Sequence, residues 1–245
     1  MYSSLSIGAS ACAGAVAGLG LAAGGYAYAA MWPASRIFGQ ALVAPPRPGE
    51  LALTFDDGPN PAWTPRLLDI LASHDVRASF FMLGSYAKAD PTLVRRIAAA
   101  GHLIGNHSWS HCNLAISPCN LIRDQLVWSR DALEQITGTP VRYFRPPFGA
   151  RRPAVFRVAS SLGFTTVLWN AMTSDWSDDS ADRIAHRLTG KIDRLARQGW
   201  AANIVLHDGG HLDSASYREP SLIAAGMLAA HYKKTHRFVT LDAWS

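Results

Sequence analysis

Apolar residues recur along this chain in two rhythms. Leu51–Phe55, Ala78–Leu83, His102–Gly105, Val141–Phe144, Thr165–Trp169, Ala202–Leu206 and Phe238–Leu241 are short, largely apolar runs bounded by turn residues, the pattern of buried strands. Between them the period changes to that of a helix, as in Leu67, Leu68 and Leu71, or Val94, Ile97 and Ala98. Thr64-Pro65 and Asp90-Pro91 read as helix starts with proline in the first turn, and Gly101 as a stop. Further helices are predicted over 120–136, 153–162, 181–197 and 220–232. Seven strands alternating with helices argue for a parallel α/β architecture. A barrel and an open doubly wound sheet both satisfy that alternation.

The first 35 residues follow neither rhythm. They contain no Asp, Glu, Lys, Arg or His, and Ala11–Trp32 is apolar for long enough to cross a bilayer. Gly14/Gly18 and Gly20/Gly24 have the four-residue spacing that lets membrane helices approach closely. An uncleaved anchor, a cleaved signal segment and a buried soluble helix are the three readings. The start lacks the basic residues of a signal peptide, although Ala27-Tyr28-Ala29 has the form of a cleavage site. Arg36 and Arg47 on the far flank bias the orientation toward a cytoplasmic domain. The anchor is the preferred reading. The expected organisation is therefore an apolar helix in an anchor or signal segment over 1–35, a Pro-rich spacer over 36–49 and a catalytic domain over 50–245.

Composition narrows the class. With 49% apolar and 17% charged residues the chain can bury a large core, so disorder is excluded. The net charge of +5 suits an anionic surface such as a cell envelope, but no basic cluster interleaved with aromatics points to nucleic acid. Cys112 and Cys119 are close enough to pair in an oxidising compartment, and two free thiols fit equally; neither spacing suits a zinc-thiolate site.

Asp56-Asp57-Gly58-Pro59 interrupts the first strand with turn chemistry, yet two carboxylates at the mouth of an apolar strand are costly unless partnered. His107 and His111 are four apart, so a helical turn would place both imidazoles on one face. Joined by a carboxylate from a neighbouring strand, they make a two-nitrogen, one-oxygen set of the catalytic zinc kind. Arg145, Asp175 and His207 each follow a predicted strand, where α/β barrels carry their chemistry. Adjacent strand residues point differently, which lets Asp56 and Asp57 do different work.

The string Thr54-Phe55-Asp56-Asp57-Gly58-Pro59, His107-Ser108 with His111, Arg145-Pro146-Pro147-Phe148-Gly149, Asp175-Trp176 and Val205-Leu206-His207, in that order, resembles the polysaccharide deacetylase family, the NodB-type carbohydrate esterases of family 4. The resemblance covers about Leu51–His207, with a closing helix and strand to about Leu241. It implies a distorted, incomplete (β/α) barrel of about seven strands and removal of N-acetyl groups from amino sugars of an envelope polysaccharide or oligosaccharide. It implies one divalent metal, usually zinc, on Asp57, His107 and His111. Asp56 would be the general base, oriented by Arg145, and His207 the general acid, oriented by Asp175. The Phe148 N–H would face the oxyanion, and Trp176, Val205 and Pro147 would line the acetyl pocket.

Two positions depart from the family. Phe148 stands where Tyr is usual, and Met172 where another Asp is common, which bears on substrate range more than on reaction class. The implied partners are an N-acetylated glycan and, through the N-terminal segment, a bacterial inner membrane, with the catalytic domain facing the envelope whether anchored or secreted. A hydrolase of O-acetyl esters or other small amides, and a glycan-binding membrane protein without turnover, are the rival readings. Trp63, Trp109 and Trp128 are candidates for stacking on sugar rings or for core. His74, His102, His186, His211, His231 and His236 match no motif.

Overall fold

A computed structural model describes residues 24–177 and 179–245. Its axis is β1 (Glu50–Gly58), whose nine residues are all buried. Such a strand needs partners on both edges and cover on both faces. It pairs in parallel with β2 (Ser79–Met82) on one side and β7 (Ala202–His207) on the other, and its first two residues also pair with β8 (Arg237–Phe238). β3 (Leu103–Asn106), β4 (Tyr143–Phe144) and β5 (Thr165–Thr166) extend the sheet beyond β2, and β6 (Ala171–Met172) extends it beyond β7. The order is β5-β4-β3-β2-β1-β7-β6, all parallel, with β8 off the path. This is the expected distorted, incomplete barrel.

The predicted strand Thr165–Trp169 is the main departure, because it splits. β5 and β6 are separated only by residues 167–170, yet they stand at opposite ends of the strand order. The ladder breaks because Leu42 enters beside the chain: its N–H donates to the Thr166 carbonyl (2.8 Å), and its own carbonyl accepts from Leu168 (2.9 Å). The chain then bends, and Asn170 and Asn203 exchange hydrogen bonds through the Asn170 carbonyl-side Oδ1 and the Asn203 carbonyl (2.8 and 3.2 Å). This bent piece curls the two ends of the sheet toward each other.

Helices cover the outside: α1 (Thr64–Ser73), α2 (Gly84–Ala89), α3 (Pro91–Ala99), α4 (Cys119–Thr137), α5 (Pro153–Ser161), α6 (Ala181–Arg197) and α7 (Glu219–Tyr232). α6 buries Ile184, Ala185, Leu188 and Ile192 on one stripe and leaves its charges to solvent. α3 starts as expected, with the Asp90 side chain accepting the Leu93 N–H at 3.0 Å. α1 does not use Thr64 as its cap. Asn60 Oδ1 takes the Ala62 and Trp63 N–H groups instead, which frees the Thr64 hydroxyl for another partner. The core is aliphatic and aromatic, with Phe55 stacked on Phe80 at 5.3 Å between ring centres. Truncating either ring would cost about 3–5 kcal/mol.

Residues 24–31 form a helix, and among the described residues no helix is long and apolar enough to cross a membrane. Most of the expected span Ala11–Trp32, with Cys12 and three of its four paired glycines, lies in 1–23, outside the described residues. Residues 36–49, expected as a stiff spacer, are hydrogen-bonded to the barrel: Val43 accepts from Asn203 Nδ2 (2.9 Å), Pro45 from the Ala201 N–H (2.9 Å), and Arg47 Nη1 donates to the Ala243 carbonyl (3.1 Å). Cys112 and Cys119 are both free thiols.

The ends of β1 and β7 approach so closely that a Cβ on Gly209 would collide with the Asp57 carbonyl. Gly209→Ala should therefore destabilise the fold by about 1–3 kcal/mol through overpacking. Chemical denaturation checks this, and an unchanged midpoint would mean that the two strand ends separate freely.

Candidate active site

All the chemistry-bearing residues emerge at the C-terminal ends of the parallel strands, from β1, β3, β4, β6 and β7. The register of β1 against β2 slips between Asp56 and Gly58, which leaves Asp57 as a bulged residue with φ +69°. The bulge breaks the strand alternation, so both carboxylates serve one site. Asp56 is 3% exposed and Asp57 5%. Neither is the solvated turn residue that an Asp-Gly pair commonly supplies.

Asp56 Oδ1 accepts from Arg145 Nη1 at 2.7 Å. The same nitrogen donates to Thr54 Oγ1 at 2.8 Å, and the guanidinium lies 4.1 Å from the Phe81 ring centre. Arg145 is fully buried; burial pulls its pKa down from the usual value while Asp56 pulls it up. Residues 145–149 form a rigid turn in which Phe148 has φ +59° and Gly149 φ +64°. Trp169 packs so tightly under Gly149 that a side chain there would meet it at 2.7 Å.

His107 and His111 are brought together by a loop, not by the helical turn their spacing suggests. Ser108 and His111 both have positive φ, at +70° and +58°. Side chains outside the motif hold the loop: Asn106 Oδ1 accepts the Ser108 N–H (2.8 Å), and Gln125 Oε1 accepts those of Trp109 (3.0 Å) and Ser110 (2.9 Å). His107 Nδ1 donates to the Arg145 carbonyl at 2.8 Å, which leaves the Nε2 lone pair free. Nε2 of His107 and of His111 lie 3.3 and 3.2 Å from Asp57 Oδ1.

That oxygen is buried without a hydrogen-bond partner. Burial would raise the Asp57 carboxyl, but the two imidazoles, with His207 farther off, hold it well below the usual range. Burial also holds His111 below its ordinary pKa, against the pull of Asp57. Two imidazole nitrogens converging on one buried carboxylate oxygen fit a divalent cation, and these three residues are the metal-capable cluster among the described residues.

Across the site, Asp175 Oδ1 holds His207 Nδ1 at 2.9 Å, and its Oδ2 accepts from the His207 N–H (2.8 Å) and from Ser221 Oγ (2.7 Å). Burial disfavours the imidazolium, but Asp175, with Asp57 and Asp56, raises the His207 pKa to about 9. Trp176 is half exposed and meets the His207 ring edge-on at 5.1 Å. Val205 and Pro147 are buried beneath the site, and Met172 pairs with Val205 in the sheet.

Three further residues belong to this cluster. Asp208 accepts from Thr64 Oγ1, and burial raises its pKa to about 7. Its position next to His207 was the only signal in the sequence. Ser221 steadies Asp175 from α7, with no sequence signal at all. His211 stacks on His111 at 4.4 Å between ring centres, with Nδ1 3.8 Å from Asp57 Oδ2. His102, by contrast, is structural: its Nδ1 accepts the Ala78 N–H, and burial, then Arg77, lowers its pKa to about 4. A cavity of about 870 Å³ lies near Leu42, Phe156, Thr165 and Trp200, and none of the residues of the cluster lines it.

A family model described as polysaccharide deacetylase matches residues 44–167. A peptidoglycan-N-acetylglucosamine deacetylase of Bacillus cereus is 36% identical over 210 residues, 84% of this chain and 72% of its own length. A chitooligosaccharide deacetylase of Sinorhizobium fredii is 35% identical over 182 residues, 72% of this chain and 82% of its own. A solved peptidoglycan N-acetylglucosamine deacetylase superposes with a TM-score of 0.74 at 35% identity, covering 83% of this chain and 91% of that one.

Because the His207 pKa is raised above its unfolded value, the His207–Asp175 pair stabilises the fold fully below the unfolded pKa near ~6.5 and loses that contribution as pH rises through about 9. Asp175→Asn should move the NMR titration midpoint of the His207 ring downward. A midpoint that stays put would show that the pair does not set it.

Proposed function

The chain belongs to the polysaccharide deacetylase family, and from that premise we propose that it is a metal-dependent hydrolase removing N-acetyl groups from an amino-sugar polymer of the cell envelope, of the peptidoglycan or chitooligosaccharide type. The observation that carries this reading is the convergence of His107, His111 and Asp57 beside two separately paired acid–base groups, Asp56 with Arg145 and His207 with Asp175.

Asp57, His107 and His111 would hold one divalent cation, for which zinc is our assignment on the donor set of two imidazoles and a carboxylate. When bound, such a cation polarises the acetamide carbonyl and acidifies water. Asp56 takes the proton of the attacking water, and the fixed guanidinium of Arg145 keeps its carboxylate aimed. The Phe148 N–H donates to the oxyanion. His207, protonated below about pH 9, gives its proton to the departing amine while Asp175 holds its other nitrogen. Trp176, half exposed beside His207, and the buried Val205 and Pro147 form the acetyl pocket.

We assign the catalytic domain to 50–245 and place it on the envelope side of the membrane. Tethering by the apolar run Ala11–Trp32 is a reading of sequence alone, and residues 29–32 at its end pack against the barrel, so any tether lies in the part before them. Recovery of the full-length protein in the soluble fraction without detergent would overturn the tether.

Contrasting variants of the neighbouring aspartates test the site. Asp57→Ala should lose metal and activity together. Asp56→Asn should keep the metal while turnover of N-acetylglucosamine oligomers drops by about 10²–10⁴-fold. Metal content by elemental analysis and acetate release are the measurements. An exchange of the two phenotypes would reverse the assigned roles, and full activity in both would place the reaction elsewhere.

A further inference from the structure

Arg151 lies two residues beyond the 145–149 turn and is as buried as Arg145, with 0% exposure. Arg145 has a carboxylate partner, but the hydrogen-bond partners of Arg151 are main-chain carbonyl oxygens. Its Nη1 donates to Ala30 (3.1 Å) and Gly149 (2.9 Å), and its Nη2 donates to Trp32. The Arg151 N–H also donates to the Ala30 carbonyl at 3.1 Å, and Nε is buried without a partner. A buried guanidinium without a carboxylate is tolerable only where several oriented dipoles replace the counter-ion. Here two of the three, Ala30 and Trp32, come from the C-terminal end of the helix over 24–31, the negative pole of its dipole. The N-terminal segment is thus locked to the barrel at a charge: Ala29, Ala30 and Ser35 are buried in the contact.

The third carbonyl on Arg151 belongs to Gly149, the second of two successive left-handed residues. A left-handed Phe148 costs about 1–2 kcal/mol and persists only when its surroundings over-determine it. The turn has internal bonds, Gly149 N–H to Pro146 (2.9 Å) and Ala150 N–H to Pro147 (3.0 Å), and Trp169 beneath it. Arg151 is the link from this turn to the N-terminal helix.

We propose that Arg151 is a positioning residue for the reaction, coupling the docked segment 24–35 to the orientation of the Phe148 N–H, so that this segment is a working part of the active site. The inference rests on the reading that Phe148 donates to the oxyanion. It departs from the picture of a separable leader followed by a spacer.

The test uses full-length Arg151→Leu and Arg151→Lys. The first removes every side-chain donor, and the second keeps a cation that cannot span three carbonyls. With metal content unchanged, kcat on N-acetylglucosamine oligomers should fall about 10–100-fold in Arg151→Leu and by less in Arg151→Lys, at nearly constant KM. Hydrogen exchange at the Gly149 and Ala150 amides should accelerate at least about tenfold while β1 stays protected. Wild-type kcat and wild-type exchange in both variants would overturn the proposal, and so would a loss of activity that only tracks the unfolded fraction. If Arg151→Leu does not fold, Arg151→Lys decides. A wild-type protein that releases no acetate would refute the assigned function. The exchange measurement would still judge the coupling, since unchanged protection of Gly149 and Ala150 would refute it.

Discussion

The structure depends on keeping several carboxylates buried at the end of one fully buried strand. Asp56 and Asp57 can sit at the mouth of β1 only because partners reach them from other strand ends: His107 and His111 after β3, Arg145 after β4 and, at longer range, His207 on β7. A parallel sheet suits this task. Its strands all end on the same side, so β3 and β4 deliver partners to the point where β1 stops, and β7 brings His207, which Asp175 beyond β6 holds. The bulge at Asp57 is the local device that makes the arrangement possible. Without it, alternation would turn one of the two carboxylates away from the site.

The alternation of strands and helices and the ends of most elements were legible because they depend on local period and on punctuation by Pro and Gly. α6 matches its expected span at both ends, since its apolar stripe and its Ser180 cap are both local signals. The motif residues were legible for a different reason: charged groups after apolar runs have few packing explanations. What was not legible depends on contacts distant in sequence. The strand near 165–169 breaks because Leu42, more than 100 residues earlier, takes up the ladder. The His107–His111 turn has a spacing that also fits a helix, and contacts from outside the motif, Asn106 and Gln125 among them, hold it as a loop. Thr64 has the form of a cap but lies inside the first turn, where its hydroxyl partners Asp208, while Asn60 Oδ1 holds the turn before the helix.

Arg145 and Arg151 show that one residue type can be buried by two different means. Arg145 is held by a carboxylate, a hydroxyl and an aromatic face, all supplied by the barrel. Arg151 is held by carbonyls, two of them from a segment outside the region that the family model matches. The 145–151 stretch therefore stands between two buried cations, one anchored in the reaction centre and one in the N-terminal helix.

The charges at the site can be followed group by group. Asp56 is matched by Arg145, and Asp175 by a His207 that stays protonated at neutral pH. Asp208, raised to about 7, carries only part of a charge there. Asp57 faces His107 and His111, and these imidazoles, with His207 farther off, hold its carboxyl well below the usual range against burial, but no guanidinium pairs with it as Arg145 pairs with Asp56. A buried carboxylate is costly to desolvate, and burial works against this one. A divalent cation on Asp57, His107 and His111 removes that cost and leaves the cluster with an excess of positive charge. On the proposed reading, the same excess would serve an oxyanion formed beside the Phe148 N–H, so stability and catalysis would both draw on the same three side chains.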